Sequence, residues 1–316
     1  MLIIKLANWQ IIATFAPDKE ICNENNSYST RDSELALWQA KTVQHQLEVL
    51  GYSTEIVSTK SHGDIELSKP LYEMGVTGIF TKALDIALLN GEIDIAVHSM
   101  KDVPTALPSG IVVGAVLKRG NPHDVLVYKG DLSFLDAEIA TIATSSLRRK
   151  AQWLHRYPHH NIENLRGNVN TRLQKLSDNS WNGAIFAAAG LERINKLPEN
   201  HLRLDWMLPA PAQGAIMVTL HEDNVPLQGV LLRIHDGNTY TATQVERAFL
   251  RALEGGCTAP IGAFAQYDGQ QKVYFKGGLW SEDGKKAAVI EEILTQINEH
   301  TGEQLAEKVK SKFENW

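Results

Sequence analysis

Alternation between helix-like and strand-like segments is the feature that most constrains the fold of this chain. From Tyr28 onward, apolar residues recur at helical spacing and then in short runs typical of strands. The stretch 34–50 has helical spacing with Asp32 and Ser33 as candidate caps, and Thr54–Ser58 follows as a strand. Such alternation is typical of sheets covered by helices, so the sequence predicts an α/β fold.

The same pattern continues to the end of the chain. Further helices are predicted over 79–89, from 146, from 168, from 191, over 241–253 and over 291–313. Strands are predicted at 93–97, 111–116, 138–143, near 165, at 184–188 and, as short strands, within 261–280. Glycine and proline at 118–122 and 209–214 favour crossings between domains at these two places.

Overall charge and cysteine content exclude some functions. The chain has 316 residues and a formal net charge of -6, which does not favour nucleic acid or an anionic membrane as partner. No apolar run approaches the length of a membrane span, and residues 1–16 make a poor signal peptide. Two cysteines, Cys22 and Cys257, favour a reducing compartment over a disulfide framework. We therefore expect a cytoplasmic protein whose anion sites are local.

Two strings rich in arginine each follow a predicted strand and open a predicted helix. The strings 144–149 and 165–172 contain Arg148, Arg149, Arg166 and Arg172. Helix N-termini and planar guanidinium groups both bind carboxylates or phosphates. Arginines at a helix start also oppose the helix dipole unless an anion compensates them. The pattern predicts an anion site, and a solvated helix face is the alternative.

Asp102 lies in the loop 98–104, directly after a predicted apolar strand. Ligand-binding loops of open α/β sheets lie at the carboxyl ends of strands. A carboxylate there can stabilise a cation or move a proton, and Lys101 beside it would help to keep it ionised. Capping of the loop is the alternative function.

Cys257 lies in the glycine-bearing loop 254–262, where the glycines would leave the sulfur reachable. A packed small side chain is the alternative for this thiol. His155, His159 and His160 lack cysteine or carboxylate partners at ligand spacing, so we expect no metal site there.

Five strings in this order resemble the porphobilinogen deaminase family, from about Thr30 to the C-terminus. They are 30–33 with 35–40, then 98–104, 144–149, 165–172 and 253–262. The resemblance implies two α/β domains similar to type II periplasmic binding proteins that flank a cleft, plus a small α+β C-terminal domain. We accordingly expect a disordered N-terminal extension at 1–26, domain 1 at 27–117 with 215–232, domain 2 at 118–214, and domain 3 at 233–316.

The resemblance also implies an activity, that of a transferase of heme and tetrapyrrole biosynthesis (hydroxymethylbilane synthase). Four porphobilinogen molecules would be condensed with loss of ammonia on a dipyrromethane cofactor, joined as a thioether to Cys257, and linear hydroxymethylbilane released. Asp102 would be catalytic. Cofactor contacts would come from Lys101, Asp102, Thr144, Ser146, Arg148 and Arg149. Substrate contacts would come from Arg31, Ser33, Arg166, Arg172 and Arg193. We expect a monomer without nucleic acid, membrane or metal partners.

Thr77 departs from the family pattern, because a basic residue is usual in the stretch 74–78. Whether the stretch 74–78 contributes to anion binding is therefore left open.

Two other interpretations stay open at this point. A binding protein of the periplasmic type would clamp a carboxylated ligand without chemistry and would have no need of Asp102 or Cys257. A thiol-dependent hydrolase would acylate Cys257, but it needs a histidine base that the neighbouring sequence does not offer.

Overall fold

A computed structural model of the chain describes residues 2–6, 33–58, 81–253, 260–268, 270 and 272–315. Several residues named from the sequence lie outside these ranges, among them Cys22, Arg31, the candidate cap Asp32, Thr77 and Cys257.

Eight helices occur within the described ranges. They are α1 (Glu34–Val49), α2 (Lys82–Leu89), α3 (Leu147–Arg156), α4 (Val169–Asp178), α5 (Ala188–Glu192), α6 (Val225–Leu231), α7 (Gly237–Leu253) and α8 (Thr301–Glu314). Single 3₁₀ turns lie at Met100–Asp102, Ser133–Asp136 and Leu232–Ile234. None of the helices in these ranges is long and apolar enough to cross a membrane.

The strands of the described ranges form three sheets. They are β1 (Leu2–Leu6), β2 (Thr54–Ser58), β3 (Ile95–Ser99), β4 (Ile111–Val116), β5 (Asp124–Tyr128), β6 (Thr141–Ala143), β7 (Asn161–Glu163), β8 (Gly183–Ala187), β9 (His201–Arg203), β10 (Ile216–His221), β11 (Ile261–Tyr267), β12 (Val273–Trp280) and β13 (Ala287–Leu294). The sheet orders are β2-β1-β3-β10-β4, β7-β6-β8-β5-β9 and β11-β12-β13.

Only the second sheet mixes strand directions. In it β6 runs parallel to β7 and β8, whereas β5 runs antiparallel to β8 and β9. The strand pairs of the first sheet are antiparallel. The third sheet is antiparallel as well and shares a buried core with α7 and α8 that contains Val245, Phe249, Phe275 and Val309. The predicted α/β class is confirmed. The residue boundaries of the domains stay a prediction.

Strand β1 corrects the prediction that residues 1–26 form a disordered extension. Leu2–Leu6 pairs antiparallel with β2 over five residues and with β3 over two, so it lies inside the first sheet. For these residues the prediction is wrong. Lys5 interrupts an apolar run, but a strand of this length needs pairing partners for its backbone rather than continuous apolarity.

Strand β13 corrects the prediction of a helix from Glu291. Residues Ala287–Leu294 pair antiparallel with β12 along their whole length, and α8 begins only at Thr301. The helical spacing predicted for 291–313 is thus right only for its second part. Pairing with β12 supplies main-chain hydrogen bonds that no local periodicity records.

The two predicted crossings between domains touch each other. The Gly120 N–H donates to the oxygen of Gly214 at 2.9 Å. Gly214 has φ +87°, and a Cβ there would lie 2.9 Å from the oxygen of Gly120 and 3.0 Å from that of Asn121. Only glycine avoids both the strain and the clash. The chain is therefore tightly packed where it passes between the first and second sheets.

Candidate functional site

The predicted catalytic carboxylate lies on a short turn at the end of a buried strand. Strand β3 leads into the turn Met100–Asp102. Met100 is fully buried, whereas Asp102 is exposed. Arg247 of α7 donates to the main-chain oxygens of Met100 at 3.3 Å and Val103 at 2.8 Å. The turn is therefore held in place while its carboxylate reaches solvent.

Lys101 is half-buried on the same turn. Its Nζ donates to Oε1 of Gln213 at 3.3 Å. Burial lowers the pKa of the Lys101 ammonium to about 8, although the neighbouring Asp102 carboxylate favours the charged form. This ammonium therefore titrates at lower pH than an ordinary lysine and is still mostly charged at neutral pH.

Two hydroxyls predicted to bind the cofactor lie at the start of α3. Oγ of Ser146 accepts a hydrogen bond from the N–H of Arg149 at 3.4 Å, as a helix cap does. Oγ1 of the buried Thr144 accepts the N–H of Ser146 at 3.2 Å. Both hydroxyls accept in these contacts, so each retains its own proton for donation to an anion.

Asp124 holds together the two arginines at the start of α3. Its Oδ2 lies 2.7 Å from Nη1 of Arg148, and its Oδ1 lies 2.7 Å from Nη2 and 3.1 Å from Nε of Arg149. All three side chains are buried. Burial alone would raise the pKa of Asp124, but the two guanidinium groups outweigh it and hold this pKa well below its usual range.

The two arginines have N–H donors in addition to those that bind Asp124. Arg148 also donates from Nη1 to the oxygen of Leu208 at 2.6 Å, and Arg149 from Nη1 to that of Ile185 at 2.9 Å. The buried Nε of Arg148 has no hydrogen-bond partner in the described part of the chain. Leaving such a donor unpaired costs about 1–3 kcal/mol, and an anionic ligand would satisfy it.

The second arginine string begins α4. Asn168 caps this helix through its side-chain oxygen, and Nε of Arg172 donates to the oxygen of Gly167 at 2.7 Å. Gly167 has φ +115°, which favours glycine. Burial lowers the pKa of Arg172 to about 10, and repulsion from Arg149 acts in the same direction. Arg166 is buried nearby and its charge acts on Arg172 as well.

The start of α1 lies against α4. Nδ2 of Asn170 donates to Oε2 of Glu34 at 2.9 Å. Ser33 immediately precedes Glu34 and is the cap residue of α1, as predicted, but its side chain makes no capping bond. Ser33 is thus brought close to the second arginine string.

These groups form one charged cluster, which we define as Lys101, Asp102, Asp124, Arg148, Arg149 and Arg172. The charges of Asp102, Asp124, Arg148 and Arg149 act on Lys101, and those of Asp102 and Arg149 act on Arg172. The cluster contains four cationic side chains and two carboxylates, even without counting Arg166. Positive charge therefore exceeds negative charge where several of the groups are buried, an arrangement that favours a ligand with more than one carboxylate.

Arg193 lies apart from the charged cluster. Its guanidinium carbon lies 5.3 Å from the centre of the Trp38 ring, and its Nη2 donates to the oxygen of Gly214 at 2.7 Å. It lines a cavity of about 210 Å³ together with Thr42 and Lys118. No hydrogen bond or ion pair within the described ranges joins it to the cluster.

Sequence reasoning missed two residues of this site, Asp124 and Gln213. Asp124 begins the buried strand β5, and a carboxylate leading an apolar run is a signal that a cation must be packed nearby. Gln213 carries no such signal, since its loop of prolines and alanines looks like a simple connection.

Comparison with known proteins supports one family. Residues 28–228 match the family model described as porphobilinogen deaminase, dipyromethane cofactor binding domain, and residues 240–315 match the model of the C-terminal domain of porphobilinogen deaminase.

Curated relatives match over most of their own length. The chain is 41% identical to a probable porphobilinogen deaminase of Methanocaldococcus jannaschii, over 90% of this chain and 98% of the relative. It is 42% identical to the porphobilinogen deaminase of Syntrophotalea carbinolica, over 88% and 90% respectively. The chloroplastic porphobilinogen deaminase of Pisum sativum is 39% identical over 90% of this chain and 82% of the relative.

Solved structures give weaker likenesses. The VFT2 domain of BvgS from Bordetella pertussis is 15% identical with a TM-score of 0.37, over 67% of this chain and 81% of that domain.

Proposed function

The chain belongs to the porphobilinogen deaminase family, and from this membership we propose that it condenses porphobilinogen units head to tail with loss of ammonia. Four substrate molecules and one water balance one linear hydroxymethylbilane and four molecules of ammonia, so no oxidant or reductant is needed. The observation that carries the proposal is the charged cluster, in which exposed Asp102 lies beside an excess of positive charge.

The residues present fit the dipyrromethane of the family. Each pyrrole ring carries an acetate and a propionate, and the unpartnered Nε of Arg148 and the excess of cations both call for carboxylates. When bound, the dipyrromethane supplies the pyrrole carbon on which the chain is extended. Cys257 would attach it, and its acid groups would be held by Lys101, Thr144, Ser146, Arg148 and Arg149.

Asp102 is the group we assign to the chemistry. Departure of ammonia leaves positive charge on a pyrrole unit, and the attacking ring must later lose a proton. A carboxylate on a fixed turn can accept pyrrole N–H hydrogen bonds, stabilise that charge and take up the proton. Arg247 holds the main chain of this turn through the oxygens of Met100 and Val103, which limits the movement of the carboxylate.

The remaining predicted residues are assigned to the incoming substrate. Arg166 and Arg172 at the start of α4 would bind its carboxylates, with Ser33 and Arg31 from the segment before α1. Arg193 contacts Trp38 and the crossing at Gly214, so we assign it to substrate only when the two sheets have moved relative to each other.

Intact mass and peptide mapping test the proposal directly. The purified protein should exceed its sequence mass by one dipyrromethane, carried on the peptide that contains Cys257. The variant Cys257→Ala should lose both the adduct and turnover of porphobilinogen. The matched control Cys22→Ala, which changes the only other cysteine, should retain both. An unmodified Cys257 peptide in enzyme that turns over substrate would refute the attachment.

We also propose that the protein is a cytoplasmic monomer of three domains with the boundaries given above, except that β1 belongs to domain 1. The two-cysteine composition supports a reducing compartment. Sedimentation of the loaded protein should give the mass of one chain, and a dimer would refute this part.

A further inference from the structure

Gln213 lies at the point where the two crossings between the sheets meet. Its main-chain oxygen accepts Nε of Arg119 at 2.8 Å, and the oxygen of the next residue, Gly214, accepts Gly120 N–H at 2.9 Å. Ala212 before it has φ +62°, an uncommon conformation for a residue with a Cβ. The backbone that carries Gln213 is therefore fixed from both sides.

The side chain of Gln213 is buried, and both ends of its amide make hydrogen bonds. The residue is 1% exposed. Its Nε2 donates to the oxygen of Pro122 at 2.8 Å and to Oδ1 of Asp124 at 2.9 Å, while its Oε1 accepts Nζ of Lys101 at 3.3 Å. These partners fix which end of the amide is oxygen, because two acceptors face one end and an ammonium faces the other.

We propose that Gln213 is a positioning residue that holds the Lys101 ammonium beside Asp102 and ties it, through Asp124, to the arginines of α3. The inference rests on the proposed function and deepens it. The amide joins a turn of the first sheet to a strand end of the second sheet, and it does so from the crossing itself. One side chain thereby sets the spacing between the catalytic turn and the anion-binding helix.

The chemical consequence lies in the proton of Lys101. Its ammonium is faced by Asp102 on its own turn, by Asp124 on β5, and by Arg148 and Arg149 on α3. Burial already lowers the pKa of Lys101 to about 8, so the acceptor supplied by Gln213 matters for keeping it charged. Loss of that acceptor lowers the pKa further.

The test compares the pH dependence of turnover in loaded wild-type enzyme and two variants. Gln213→Met keeps the length of the side chain and removes its hydrogen bonds. On the alkaline side, kcat/KM of this variant for porphobilinogen should decline at a pH about one unit lower than in wild type. Loss of one hydrogen bond to a charged group implies a shift of this size.

Gln152 supplies a matched control. It is 2% exposed and exchanges two hydrogen bonds with the main chain of Leu208, at 3.0 and 2.8 Å, without contact to Lys101. Gln152→Met should lower stability as Gln213→Met does but keep the alkaline limb of wild type. An unmoved limb in Gln213→Met, or the same shift in the control, would overturn the proposal.

A second measurement does not depend on turnover. The rate at which an amine-acylating reagent labels Lys101, followed by peptide mass spectrometry against pH, reports the pKa of that ammonium. The pKa should be lower in Gln213→Met than in wild type, and equal values in the two proteins would overturn the proposal. The expected difference in labelling, found together with wild-type protein that consumes no porphobilinogen, would refute the proposed function alone.

Discussion

Replacing Asp124 with asparagine tests the centre of the charged cluster. The carboxylate is 0% exposed and receives four hydrogen bonds, from Arg148, from two nitrogens of Arg149 and from Gln213, at 2.7 to 3.1 Å. Asp124→Asn keeps the shape but leaves two buried guanidinium groups without a counter-charge. Removing one partner of a buried ion pair costs about 3–5 kcal/mol, a large part of the about 5–15 kcal/mol that stabilises a typical domain.

Urea unfolding followed by tryptophan fluorescence measures this loss. The control is Asp205→Asn, which removes an ion pair with Arg203 whose two side chains are 57% and 63% exposed, and it should cost at most about 1 kcal/mol. A loss in Asp124→Asn no larger than in the control would refute the assigned pairing.

The pH dependence of the same difference gives an independent check. Because the pKa of Asp124 is lower in the folded than in the unfolded chain, its stabilisation is fully present above the unfolded value of about 3.9. The stabilisation is lost as pH falls through the folded pKa. The difference between wild type and Asp124→Asn should therefore stay constant between about pH 5 and pH 8 and shrink only in stronger acid. A difference that shrinks already between pH 7 and pH 5 would contradict the lowered pKa.

Two further predictions concern turnover. Asp102→Asn should retain the fold and the dipyrrole adduct but lower kcat about 100-fold or more, because the charge is lost while the shape remains. The exposed control Asp136→Asn should have wild-type kcat. Wild-type kcat in Asp102→Asn would refute the catalytic assignment. Arg172→Leu should raise KM for porphobilinogen about tenfold or more in steady-state kinetics, because a charge-assisted contact is lost. Arg233→Leu, which changes an exposed arginine, should leave KM unchanged. Equal KM in both variants would argue against the substrate contact.

Local sequence signals predicted most of the elements that carry the site. The arginine strings open α3 and α4 as expected, since a capping residue directly precedes each helix: Ser146 and Asn168. Asp102 follows the buried strand β3, which its run of apolar residues predicted. The resemblance to the family then supplied the role of Cys257, which the residues alone left open.

Errors arose where backbone pairing over long distances in sequence overrides local pattern. Leu2–Leu6 became a strand because β2 and β3 offer hydrogen bonds on both of its sides. Residues 287–294 became β13 because β12 lies beside them, although part of this segment has helical spacing. In both places the deciding partner is a neighbouring strand that composition does not reveal.

The sequence by itself determined that this chain has an α/β fold, an anion site rich in arginine, and a carboxylate at a strand end. Only the tertiary structure decided how these charges are balanced. Asp124 meets Arg148 across 24 residues, and Gln213 meets Lys101 across 112. Such contacts depend on how the sheets pack, because burial makes each charged group require a specific partner that spacing along the chain does not encode.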